Sequence, residues 1–331
     1  MAAVRSIDIH AHFFPRTYLE LIAAEGGPFG MTCDLDRPGG PVINSDGRRG
    51  NVLEARFIDI DARLASMDEQ GVDVHALSLT SPMVYWAGDG LSVKLSRAFN
   101  DACAAAHEAH PDRLVGLAML PMHRPALALE ELERAARLPG IRGVYMATKI
   151  GDMELSDPSL LPVFRRIEAL HLPVFLHPNS VLEPARLAKY YLRNFIGNPT
   201  ESAIAASHLI FGEVLDNCPK LVVCLPHGGG SFPYLIGRIQ HGWGVRPECK
   251  HLLNGPINYL RRFWYDTVTH SAPALAYLIE QVGADRVVLG SDFCFDMGYE
   301  RPVEVVTGHG GIGEADQARI LGGNAAALLG L

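Results

Sequence analysis

The sequence predicts an α/β chain folded as a (β/α)8 TIM barrel, one domain over residues 1–331, with a Gly/Pro-rich insertion after the first strand. Three observations predict it. Short apolar runs rich in β-branched or aromatic residues recur along the chain, separated by longer stretches of helical character. The main break in this regularity is residues 15–58. Histidines and an aspartate stand at the ends of several runs, where a barrel of this kind carries its chemistry.

The runs, in order, are SIDIHAH (6–12), VDVHALSL (72–79), RLVGLAML (113–120), GVYMAT (143–148), PVFLH (173–177), LVVCLPH (221–227), FWYDTV (263–268) and RVVLGSD (286–292). Each is short and almost continuously apolar, as a parallel strand buried on both faces must be. Between them lie the helical stretches 59–71, 95–110, 126–138, 157–171, 200–218, 273–283 and 314–330. Their ends carry the expected signals. Residues 59–71 end in glycine, 126–138 follow Pro125, 157–171 open with Asp157-Pro158, and 200–218 open with Thr200 as a cap after Pro199. Eight strand–helix units in series close into a barrel. The Gly-, Pro- and Asp-rich segment 15–58 then falls over the catalytic end, as a lid or a substrate wall.

Composition narrows the function. The chain is 48% hydrophobic and 20% charged, with a net charge of −8. That balance offers no basic stripe for nucleic acid. No run of apolar residues is long enough to span a membrane, and the start has no secretory pattern. The six cysteines form no CxxC pair and read as reduced thiols of a cytoplasmic protein. Cys294 stands two residues past Asp292, as a pocket thiol or as a buried inert one.

The chemistry-bearing residues gather at run ends. His10 and His12 lie two apart, so a strand aims both at one side. Such a pair suits a divalent metal, or simply an exposed strand end. His177 ends the fifth run, His227 the sixth and Asp292 the eighth. His75 lies mid-strand and reads as a core histidine; His107, His110, His171 and His208 fall in helical stretches.

This set resembles the amidohydrolase superfamily. The stretches DIHAHFFP, MDEQGVDVHALS, SPMVYWA, FLHP, HGGGSFPYLIGRI and GSDFCF are similar to the amidohydrolase 2 branch, which contains aminocarboxymuconate semialdehyde decarboxylase and related decarboxylases. The resemblance runs over residues 6–330. It implies that His10, His12, His177 and Asp292 hold one divalent metal, zinc first and manganese as the alternative. It implies that His227 is the acid–base residue and that Asp292 shares the catalytic work. Lys149 bridging a second metal is the rival arrangement. Arg238 matches an arginine that relatives extend into a neighbouring subunit's site, which implies a homodimer; the alternative is a helix-surface salt bridge.

The implied reaction is metal-dependent, nonoxidative decarboxylation of an unsaturated or aromatic carboxylic acid, by a carboxy-lyase. The alternative is a metal-dependent hydrolase of the same superfamily, cleaving an amide, lactone or carbon–carbon bond. Carbon dioxide would leave after water adds to an activated double bond, or after Asp292 or His227 relays a proton to carbon. The pocket departs from the semialdehyde decarboxylases. Pro178, Asn179, Ser180 and Val181 replace Pro-Trp-Asp-Met, Asn51 stands where an arginine is expected, and FCFDMG replaces Tyr-Pro-Phe-Pro-Leu-Gly. Arg48 and Arg49 are then candidates for a second carboxylate contact or for a solvated loop. Asn179, Ser180, Cys294 and Asp296 make the pocket more polar. Trp86 (with Tyr85) and Phe293 (with Phe295) are candidates to wall the substrate or to pack in the core.

Overall fold

The computed structural model describes residues 5–45 and 47–331, apart from the side chains of Arg48 and Arg49. Eight strands form one parallel sheet: β1 Ile7–His12, β2 Val74–Ser78, β3 Leu114–Met119, β4 Ile141–Ala147, β5 Val174–His177, β6 Val223–Leu225, β7 Phe263–Asp266 and β8 Val287–Val288. Their spatial order is their chain order. The ring closes between its first and last members. Ile9 N donates to Leu289 O at 3.0 Å, and Ala11 bridges in parallel to Phe293. The strands of the ring are buried on both faces, as their apolar runs require.

A helix follows each strand: α1 Ile60–Gln70, α2 Asp89–Ala109, α3 Pro125–Ala135, α4 Leu161–Ala169, α5 Asn198–Phe211, α6 Phe232–Val245, α7 Ala272–Val282 and α8 Asn324–Leu329. Local chemistry sets their ends. Asp59 caps α1 by accepting from Ala62 N at 2.8 Å, and Gly71 ends it at φ 69°. Such a cap contributes about 1 kcal/mol, and a left-handed ending is where glycine costs least. α8 is tied to the sheet by Asn324, whose amide donates to Ala284 O and Val287 O at 2.8 and 2.7 Å.

The structure corrects the sequence reading in several places. Thr200 does not cap α5. That helix opens at Asn198 with Pro199 in its first turn, and Thr200 Oγ1 donates back to Ile196 O at 2.7 Å. The 314–330 stretch is divided by a π turn at Arg319–Gly323. Helix α6 lies in a glycine-rich stretch that is absent from the helical stretches read from the sequence, although a helix surface was one of the two settings considered for Arg238.

The insertion is more ordered than its Gly and Pro content suggests. It contains a helix at Arg16–Glu25 and an antiparallel sheet of Met31–Asp34, Val42–Ser45 and Arg48–Val52. The helix follows Pro15 and ends at Gly26, a signal present in the sequence. Tyr18 anchors it, donating to Met83 O at 2.6 Å. The sheet walls a cavity of about 310 Å³ together with Ser81, Pro82 and Phe295, at the carboxyl end of the barrel. No helix among the described residues is long and apolar enough to cross a membrane.

Candidate active site

The carboxyl ends of the strands bring four imidazoles around one carboxylate. His12 Nε2 lies 3.0 Å from Asp292 Oδ1, and His10 Nε2 lies 3.4 Å from the same oxygen. His227 Nε2 lies 3.8 Å from Asp292 Oδ2. The His177 ring is 4.9 Å from that of His12 and 5.2 Å from that of His10.

The outer nitrogen of each strand-borne ring is held. His10 Nδ1–H donates to Asp266 Oδ2 at 2.7 Å. His12 Nδ1–H donates to Ser78 Oγ at 3.1 Å, and that hydroxyl in turn donates a hydrogen bond to Ala11 O. His177 Nδ1–H donates to Pro178 O at 2.9 Å. With Nδ1 protonated, each Nε2 presents a lone pair to the cluster. His10 Nε2 is buried and makes no hydrogen bond. A buried, orphaned lone pair whose opposite nitrogen is fixed by a carboxylate is the arrangement of a metal-binding histidine. The donor set of imidazole nitrogens and one carboxylate suits a divalent ion. These residues therefore fit a metal.

The electrostatics agree. Burial pushes His12 down to about 4 and His177 well below its usual value, so both rings are neutral. Burial opposes the charge on His10 too, but Asp292 and Asp266 overcome it and raise His10 to about 10, so without an ion the ring takes a second proton at Nε2, which a metal would displace to use that lone pair. The spot between those carboxylates favours a cation. Burial would raise Asp292, but the positive charge of His10 beside it holds it well below the usual range.

The donor atoms of His10, His177, His227 and Asp292 lie within 4.8 Å of one another. His12 is outside that compact group, although it was expected as a ligand, and His227 is inside it. Neither His227 nor Asp292 is a true strand end. β6 stops at Leu225 and β8 at Val288, and both residues occupy the loops beyond. Each adopts a positive φ, 55° at His227 and 61° at Asp292, a conformation costly for residues with a Cβ and concentrated at functional sites.

Beneath the cluster, Asp8 accepts from His10 N at 2.9 Å and Ser291 N at 3.1 Å, fastening β1 to the Asp292 loop. Arg63 is wholly buried there. It donates to the His12 carbonyl, faces His75 Nδ1 at 3.2 Å, and lies 4.9 Å from the Phe293 ring. His75 is thus the core histidine its position suggested, kept neutral by burial.

Two cavities meet at Asp292. One, of about 370 Å³, is walled by His227, Phe195, Tyr234, Tyr277 and Met297. The other, of about 440 Å³, is walled by His177, Asn179, Ser180, Arg193 and Phe295.

A family model described as amidohydrolase matches residues 7–331. The chain is a member of the amidohydrolase family. It is 33% identical to the 2-amino-3-carboxymuconate-6-semialdehyde decarboxylase of Dictyostelium discoideum, over 98% of this amidohydrolase and 91% of the relative. Its fold superposes on the 5-carboxyvanillate decarboxylase from Sphingomonas paucimobilis with a TM-score of 0.84 and 26% identity, covering 99% and 100% of the two chains. It also superposes on the dihydroxybenzoic acid decarboxylase from Polaromonas sp., a structure with bound manganese and 2-nitroresorcinol. There the TM-score is 0.82 with 26% identity, covering 99% and 97%.

The remaining expected residues of this amidohydrolase divide. Asn179 and Ser180 line the larger cavity beside Asn51. Phe293 does not: it is 3% exposed and packs against His75 and Arg63, while Phe295 reaches the cavity and the His12 ring at 5.5 Å. Trp86 is not among the residues lining the cavities at Asp292; its indole donates to Met83 O, and its ring lies 6.3 Å from that of Phe29. Lys149 pairs with Glu154 at 4.0 Å, in a short strand beyond β4, so the bridging arrangement gains no support. Cys294 is buried and pushed up to about 12 by that burial, which makes it an inert thiol. Asp296 is exposed. Arg238 is exposed on α6, beside an apolar cleft shared with α5 and away from the two cavities. The side chains of Arg48 and Arg49 lie outside the described residues.

Sequence reasoning missed Asp266, which fixes His10. Asp266 lies inside the run FWYDTV and ends a strand only in the structure, where β7 stops at Asp266, so the run-end rule passed over it. Ser78 and Thr80 were missed for want of any motif; Thr80 Oγ1 lies 3.2 Å from His177 Nδ1.

Proposed function

We propose that the whole chain acts as one domain, a metal-dependent, nonoxidative decarboxylase of an unsaturated or aromatic carboxylic acid. The observation that carries this reading is the set of Nε2 lone pairs of His10, His12 and His177 turned onto Asp292. It occurs in a chain related along its length to a decarboxylase.

His10, His12, His177 and Asp292 would hold one ion, zinc or manganese, in the preference order zinc then manganese. His12 is preferred to His227 as a ligand because its Nδ1 is anchored and its Nε2 stands nearest to Asp292. His227 Nδ1 has no hydrogen-bond partner, and its ring faces a cavity, which suits a group that moves protons. The bound ion supplies positive charge that anchors a substrate oxygen and stabilises the charge left as carbon dioxide departs.

The protein's own groups do the rest. Asp266, Ser78 and the Pro178 carbonyl fix the rings. The carbon–carbon bond to the carboxylate breaks, its electron pair stays on the substrate carbon, and His227 Nε2 delivers a proton there. Asp292, whose Oδ2 lies 3.8 Å from that nitrogen, is the alternative donor of the same single proton.

Arg238 supports a homodimer in which it reaches the neighbouring site, because it is exposed and has no ion-pair partner among the described residues. Free, well-separated cysteines support a cytoplasmic location. The test is carbon dioxide release by zinc- or manganese-loaded protein from hydroxybenzoates, carboxyvanillate-like acids and carboxymuconate semialdehydes, with Asp292→Asn as control. Release that needs the metal and Asp292 supports the reading. None from metal-loaded protein would shift it to the hydrolase, to be assayed on esters, lactones and amides.

A further inference from the structure

We propose that Arg193 binds a second carboxylate, one that the reaction leaves in place, so that the preferred substrate is a dicarboxylic acid. This rests on the decarboxylase reading and names the substrate class of that site. Among the described residues lining the 440 Å³ cavity, Arg193 is the only arginine or lysine, and Asp292 the only acid. Asp292 is committed to the imidazoles. Arg193 is half-buried and makes no ion pair or hydrogen bond among the described residues. A guanidinium partly withdrawn from water without a counter-charge is a site for an anion, and its planar fork matches a carboxylate.

The local backbone is built to present it. Arg193 opens a π-helical turn, Arg193–Gly197, a form that recurs at functional sites. Tyr190 and Tyr191, just before it, both adopt φ of 59°, a costly conformation for residues with a Cβ. The turn also carries Asn194, and α5 begins at once with Asn198; both asparagines line both cavities. Asn179 faces the same space with its Oδ1 buried and unpartnered. The other cavity is walled by Phe195, Tyr234, Tyr277 and Met297 and has no arginine or lysine in its lining. A substrate straddling Asp292 thus meets an aromatic wall on one side and amides with a cation on the other.

The experiment measures binding and turnover separately. Manganese-loaded wild type, Arg193→Gln and Arg193→Lys are titrated by calorimetry with 4-hydroxybenzene-1,3-dicarboxylate and with 2-hydroxybenzoate. The same pair is then assayed for carbon dioxide release. The wild type should bind the dicarboxylate at least tenfold more tightly. In Arg193→Gln the ratio should fall to near one, with 2-hydroxybenzoate within twofold of wild type. Arg193→Lys should retain part of the preference, which excludes misfolding as the cause. Equal affinity for both acids in the wild type, no binding of the dicarboxylate, or a preference that survives Arg193→Gln would overturn the inference. Selective binding without carbon dioxide would sustain the Arg193 site and count against the decarboxylase reading. Release without preference would do the reverse.

Discussion

His10 Nδ1 stands 2.7 Å from Asp266 Oδ2, so a ring near the end of β1 takes its orientation from the carboxylate that ends β7. Asp266 has no freedom to choose. Its other oxygen accepts from Gly228 N at 2.7 Å and Val268 N at 3.0 Å. In Asp266→Asn the amide oxygen must keep those donors, which turns the NH2 toward His10. His10 Nδ1 then becomes the acceptor, and its proton moves to Nε2, where it blocks a metal. We expect metal affinity to fall about 10- to 100-fold, measured by competition against a chelating dye. Wild-type affinity in this variant would show that His10 takes its orientation from elsewhere.

Asp292→Asn removes the charge on which the imidazoles converge. Carbon dioxide release should fall on the order of 10²–10⁴-fold in kcat. If Asp292 also ligates the ion, metal content measured by emission spectroscopy drops with it. A variant that keeps its metal and its rate would remove Asp292 from both roles.

Metal removal should be felt by the fold as well as the activity. The proposed ligands come from β1, β5 and the loop after β8, so one ion would crosslink opposite sides of the ring. Free metal at 100 times its dissociation constant stabilises the folded chain by about 2.7 kcal/mol. Dialysis against a chelator should therefore lower the melting temperature by several degrees, and zinc or manganese should restore it. A melting curve indifferent to chelation and reloading would mean that no ion is held by these residues.

The legible part of the molecule was the part with local periodicity. Seven of the eight strands lie within the apolar runs and β4 begins two residues before its run, because burial on both faces forces that pattern on the sequence. His10, His12, His177, His227 and Asp292 could be read because a barrel fixes where its strands end and chemistry restricts the residue types. The division of labour between His12 as ligand and His227 as acid–base residue came from the family resemblance and not from the residues alone, because it depends on distances of 3.0 and 3.8 Å set by long-range packing. Arg193 was invisible for a related reason: it lies in a π turn whose irregular backbone follows no hydrophobic period. The helix at Arg16–Glu25 was hidden by the Gly and Pro around it.

Phe293 and Phe295 are two residues apart, and only the structure separates their roles. The Phe293 ring lies 4.9 Å from the Arg63 guanidinium and 5.0 Å from the His75 ring. Truncation to alanine would leave a cavity there and strip the aromatic face from a buried cation. Phe293→Ala should cost about 3–5 kcal/mol of stability, seen as an earlier urea midpoint. The Phe295 ring instead lies 5.5 Å from His12 and 5.1 Å from Phe57, on the wall of the substrate cavity. Phe295→Ala removes an apolar surface that substrate would cover, worth about 1.5–3 kcal/mol when fully buried. That loss corresponds to a KM roughly 10- to 100-fold higher, with a smaller change in the urea midpoint than Phe293→Ala. If the two variants exchanged these effects, with Phe293→Ala raising KM and Phe295→Ala unfolding early, the assignment of cavity wall and core would be reversed.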